Sequence, residues 1–132
     1  MTQLSGYLAE VSARPFEWGV LDCALFAAGW VEEVTGIDVR MGLHRRYTTM
    51  RGCNRLLKSE GGLLAITERG LRLADMRPTD EPSRGDVGVC EVLTPHGVGQ
   101  AVGICMGNGR WVFLGMSGLT ALPAPHISAW EF

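Results

Sequence analysis

Cys23 directly follows Asp22 and heads an apolar stretch, PFEWGVLDCALFAAGWVEEVTG, residues 15–36. A thiol at a helix start feels the positive end of the helix dipole and unpaired backbone N–H groups, and both favour the reactive thiolate. A nucleophilic cysteine also needs a base or imidazolium to hold the thiolate and to protonate the leaving amine. The chain offers three histidines. His96 lies in the turn Thr94-Pro95-His96-Gly97 and would reach the helix start if that turn curls inward. His126 would reach it only through a wrap of the C-terminal segment, and His44, among arginines, reads as a surface residue. Asp22 has two readings: a helix cap that accepts N–H bonds from the first turn, or electrostatic support for a neighbouring base. A carboxylate beside the thiol would also raise its pKa, against the dipole. Trp18 reads either as packing for the helix or as an aromatic wall for a ligand.

Periodicity gives the scaffold that would hold these groups. Residues 3–13 read as a short amphipathic helix through Leu4, Leu8 and Val11. Phe16 to Leu21 is a loop containing Trp18-Gly19. A central, buried helix runs from Cys23 to Val34 and stops at Thr35-Gly36. Ile37 to Tyr47 is irregular. Thr48 to Ser59 reads as a third helix closed by Gly61-Gly62, and Leu63 to Arg69 as a short fourth, ended by Gly70. Residues 74–85 form a polar, proline-containing connector. The period then changes: Asp86–Leu93, Gln100–Met106, Arg110–Leu114 and Leu119–Leu122 are short apolar or β-branched runs separated by turn signals, with Asn108-Gly109 a strong hairpin turn. Helices first and an antiparallel meander second is the α+β layout, here as one domain over residues 1–132. The terminal Pro123–Phe132 segment reads as an apolar tail that docks on its own domain or on a partner.

Composition narrows the function classes. The chain has 132 residues, 46% hydrophobic and 20% charged, with a formal net charge of −2, enough for a single core. The charge balance argues against a charge-driven nucleic-acid binder. The basic cluster His44-Arg45-Arg46, with Arg40 and Arg51, reads as a solvated or partner-facing patch. No window approaches the roughly 20 apolar residues of a membrane span, and the N-terminus lacks the basic start and apolar run of a signal peptide. The expectation is folding in the cytoplasm, with Cys23, Cys53, Cys90 and Cys105 reduced. Their wide spacings predict no metal site, and no cofactor is called for. Cys53, Cys90 and Cys105 read as small buried core residues.

Three segments carry a resemblance: Trp18-Gly19-x-x-Asp22-Cys23 before an apolar helix, Arg84-Gly85-Asp86-Val87-x-Val89, and the run Val102 to Arg110. In this order they resemble the NlpC-type cell-wall peptidases, a papain-like cysteine peptidase superfamily. The resemblance implies a papain-like fold, with the Cys-bearing helix packed on a C-terminal antiparallel sheet. A closer similarity is to a small family of phage and prophage proteins encoded among tail genes. It rests on Phe16, Trp18, Gly19, Asp22, Cys23, Phe26, Ala27, Ala28 and Trp30, on Arg51 to Gly62, and on Ala129-Trp130.

The chain departs from the peptidases at the base. Their histidine opens the second strand as H-V-G-I, and the aligned position here is Ala101, preceded by Gln100. Loss of a proton-transfer group commonly costs about 10²–10⁴ in rate. The candidate catalytic residues are therefore Cys23, His96 and Asp22, with Trp18 and Gln100 as substrate contacts. The resemblance implies a virion protein of the phage tail, made in the bacterial host cytoplasm, a structural or assembly component near the tail tip with an incomplete catalytic set. Its expected partners are other tail proteins, with peptidoglycan as a further ligand. The alternative is an active cysteine hydrolase acting on peptidoglycan.

Overall fold

The computed structural model describes residues 3–40 and 42–132. Four helices precede six strands: α1 (Gln3–Ser12), α2 (Phe26–Thr35), α3 (Met50–Ser59), α4 (Leu63–Leu73), β1 (Arg77–Pro78), β2 (Val87–Thr94), β3 (Gly97–Gly107), β4 (Arg110–Gly115), β5 (Gly118–Pro123) and β6 (His126–Glu131). The strands form one antiparallel sheet in the order β1-β6-β2-β3-β4-β5. The architecture is α+β, as the change of period implied. No helix among the described residues is long and apolar enough to cross a membrane.

Strand alternation divides the sheet into two faces. Val87 and Val89 of β2 and Val102 and Ile104 of β3 join Phe26, Trp30 and Val31 of α2 in the main core. Their neighbours Cys90 and Cys105 point the other way and pack with Trp111, Phe113 and Ala129, all of them strand residues. Side chains alternate between faces along a strand, so β2 to β6 each feed both cores. Cys53, Cys90 and Cys105 are buried, as expected. The second face approaches closely enough that a Cβ at Gly88 would overlap the Trp111 ring, and one at Gly103 the Phe113 ring.

Several boundaries differ from the sequence reading. The central helix begins at Phe26, because residues 22–25 form a separate turn held by Asp22. Helix α3 begins at Met50 rather than Thr48 and is capped by Thr49, whose hydroxyl accepts from the Gly52 N–H at 3.0 Å. Helix α4 continues through Gly70, which is buried, to Leu73. Asn108 and Gly109 both adopt positive φ, 55° and 74°, the conformation a two-residue hairpin demands. The largest difference is the C-terminal segment. It is an inner strand, β6, paired with β1 and β2, and it buries Ala129 and Trp130.

Candidate functional site

The Trp18–Leu25 segment is built around one carboxylate. Asp22 is fully buried. One oxygen accepts the Ala24 and Leu25 N–H groups, each at 2.9 Å, and the other accepts the Gly19 N–H at 2.8 Å and the Tyr47 hydroxyl at 2.7 Å. The Asp22 carbonyl receives the Phe26 N–H at 3.0 Å and so opens α2. This is helix capping extended into a clamp: the same side chain ties the turn to the loop that carries Tyr47. Gly19 is needed where it stands. Its φ is +82°, and a Cβ would collide with the Tyr47 carbonyl. Its own carbonyl accepts the Arg45 N–H at 2.7 Å. The motif spacing W-G-x-x-D thus records a turn whose ends meet through Asp22. Tyr47 and the role of its hydroxyl escaped the sequence reading, since no local signal links positions 25 residues apart.

Cys23 sits in this clamped turn, one turn before the first residue of α2, and is partly exposed. The helix start favours the thiolate, as expected, but larger influences oppose it. Burial, then the neighbouring Asp22 carboxylate, push the thiol up to about 12, while backbone N–H groups lower it only weakly. The physical reason is first the burial of the turn, which penalises the charged form, and then the negative charge of Asp22, whose carboxylate also accepts the Ala24 and Leu25 N–H groups. Cys53 and Tyr47 lie in the same cluster with Ala24 and Leu25. Burial raises the Cys53 thiol too, and burial followed by the bond to Asp22 strongly raises the Tyr47 hydroxyl.

The base candidates lie elsewhere. His96 is exposed in the β2–β3 turn, its backbone N–H donating to the Thr94 hydroxyl at 3.2 Å. His126 opens β6 opposite Cys90, exposed, with its ring 6.0 Å from Trp111. His44 is half-buried and lines a cleft between α1 and α2. Among the described residues no hydrogen bond joins an imidazole to Cys23, and no histidine is among the main influences on its thiol. Ala101 packs with Cys90, Trp111 and Phe113 on the strand-only face, opposite the face that receives α2. A histidine at that register would therefore point away from the Cys23 side of the sheet. Gln100, exposed and paired with Glu91, is the β3 residue of the opposite parity. Trp18 is half-buried, edge-on to Phe16 at 4.8 Å, and packs against the Tyr47–Cys53 cluster. The structure thus brings Asp22, Cys23 and Trp18 together and leaves His96 outside any shared contact with them.

The model of a domain of unknown function, DUF6950, matches residues 1–132. The chain belongs to the DUF6950 family. No curated protein and no solved structure matches it. For this DUF6950 domain the chemistry of the site is consequently read from its own geometry: a buried carboxylate fully engaged in hydrogen bonds, a neutral thiol beside it, and an aromatic pair at the rim. Among the described residues no group of three or more His, Cys, Asp or Glu side chains is arranged to hold a metal ion.

Proposed function

We propose that this chain is a phage-tail-associated protein, a structural or assembly component near the tail tip, on a papain-like fold whose catalytic set is incomplete. One observation carries the non-catalytic part: Cys23 is held as a thiol, pushed up to about 12 by burial and by an Asp22 that has no acceptor capacity to spare for a base. The helix-on-antiparallel-sheet order and the Trp18-Gly19-x-x-Asp22-Cys23 turn support the papain-like reading, and the similarity to proteins encoded among tail genes supports the tail. At neutral pH a thiol raised by burial and a neighbouring carboxylate stays protonated, and the thiol is a poor nucleophile. Co-purification with tail-tip proteins from phage particles or assembly intermediates tests the role, and absence from all of them overturns it.

The hydrolase reading has one observation in its favour: Cys23 is the only one of the four cysteines not fully buried. Purified cell-wall fragments incubated with the parent chain and with Cys23→Ala separate the two. Equal, undetectable turnover by both across a broad pH range supports the structural role. Cleavage by the parent that Cys23→Ala abolishes establishes the hydrolase.

A further inference from the structure

Charge is distributed unevenly along this chain. It carries 12 Lys and Arg against 14 Asp and Glu. Six of the cations, Arg40, Arg45, Arg46, Arg51, Arg55 and Lys58, fall within residues 39–59, which contain no Asp or Glu. The rest of the chain therefore has a net charge of −8. In the fold these cations form a surface. Arg51, Arg55 and Lys58 recur at i, i+4 and i+7 on the exposed side of α3, opposite the buried Cys53, so they share one helix face. Arg46 borders two adjoining depressions. One also takes in Arg55, Thr48 and Ser59 from the α3 side, and the other Arg40, His44 and Leu73. Met50, 57% exposed, and Leu73, 63% exposed, place apolar side chains at this surface. Arginine and methionine beside exposed apolar groups is the composition of protein interfaces. Of the six cations only Arg40 has a carboxylate partner among the described residues, Asp38 at 2.7 Å.

The complementary pole adjoins it. Arg40 and His44 also line a cleft of about 270 Å³ between α1 and α2, whose rim carries Glu10, Glu32 and Glu33. None of these three carboxylates forms an ion pair among the described residues. A cationic and an anionic patch thus lie next to each other, meeting at Arg40 and His44. Two such patches side by side are self-complementary about a two-fold axis: each copy lays its cations on the other's carboxylates, twice over. We propose that this surface is a homodimer interface, with the α3 cations of one copy facing Glu10, Glu32 and Glu33 of a second copy about an axis near Arg40 and His44. A nucleic acid suits the surface less well, because the remaining net charge of −8 repels a polyanion and the apolar Met50 and Leu73 side chains have no use against phosphates. The dimer stands independently of what Cys23 does.

Sedimentation of the full chain over a concentration series tests it. The parent dimerises at low salt, and its dissociation constant rises at least about tenfold between about 0.05 and 0.5 M salt as the charges are screened. Arg51→Glu with Arg55→Glu is monomeric where the parent is dimeric, and so is Glu32→Lys with Glu33→Lys. Arg51→Glu puts an acid in the first turn of α3 and the Glu32 and Glu33 swaps put cations in the C-terminal half of α2, both suiting the helix dipoles, and Arg55 is exposed, so thermal melts by circular dichroism remain cooperative. An equimolar mixture of the two variants restores a 1:1 dimer. A parent that stays monomeric throughout, a mixture of folded variants that fails to pair, or open-ended oligomers in place of a dimer each overturn the proposal. Binding of a short DNA duplex that the Arg51/Arg55 swap abolishes, with no self-association by the parent, assigns the surface to a polyanion instead.

Discussion

The turn around Cys23 and the β2–β3 hairpin that carries His96 are the two places a cysteine hydrolase would need, and they are held in opposite ways. In the first, four donors from three separate stretches converge on the buried Asp22 carboxylate. In the second, the strand ladder runs on from Glu91–Gln100 to Thr94–Gly97, but Leu93, His96 and Val98 stand in solvent and the hydrogen bonds at the tip are local to the turn. The nucleophile position is rigid because a buried carboxylate must be fully satisfied. The same four bonds use up the acceptor that would otherwise orient an imidazole beside the thiol. Cys90 sharpens the contrast: burial, and then the neighbouring Cys105 thiol, lift this sheet-core cysteine to about 12 as well. Both thiols are raised, with burial the main cause in each, although only Cys23 stands just before a helix.

The largest test of this contrast is Asp22→Ala. Three backbone N–H groups and the Tyr47 hydroxyl lose their acceptor together, and the expected loss is about 3–5 kcal/mol, a large part of a small domain's stability. Urea unfolding measures it, and a loss below about 1 kcal/mol means the clamp is not what holds the turn. Next comes Ala101→His, which forces an imidazole into the cluster of Cys90, Trp111 and Phe113. It costs about 1–3 kcal/mol and creates no hydrolysis of cell-wall fragments. Gain of cleavage would show that the two faces of β3 have been misassigned.

The pH dependence of stability gives a smaller effect. The folded-state thiol of Cys23 lies near 12, above its ordinary value of 9.0. Its contribution is whole below pH 9 and is lost as the pH rises through 12, because the unfolded chain ionises first. Between pH 8 and 11 the urea midpoint of the parent falls further than that of Cys23→Ser. Equal slopes would place the thiol in a water-like setting. Smallest is His96→Ala, expected to change stability by less than about 0.5 kcal/mol. A larger change would mean the hairpin tip packs against something.

Local chemistry made part of this molecule readable from its sequence. Trp18-Gly19-x-x-Asp22 encodes a turn, since glycine supplies the positive φ and aspartate caps the residues that lead into α2. Asn108-Gly109 encodes a hairpin for the same kind of reason. The change from helical to alternating period encoded α+β. Strand β6 was not readable, because the prolines at 123 and 125 and its short apolar run resemble a tail, and its pairing with β1 and β2 is made with residues more than 35 positions away. Gly70 read as a stop, yet it is buried within α4, where packing outweighs its propensity.

By itself the sequence determined the elements, the Asp22 cap and the presence of a cysteine beside it, because each depends on neighbours a few residues apart. The tertiary structure decided the state of that cysteine. Whether Cys23 is a thiol or a thiolate depends on how deeply the turn is buried, on Tyr47 closing over Asp22 from 25 residues away, and on which face of β3 position 101 occupies. These are long-range properties of packing and register, and no spacing within one segment encodes them.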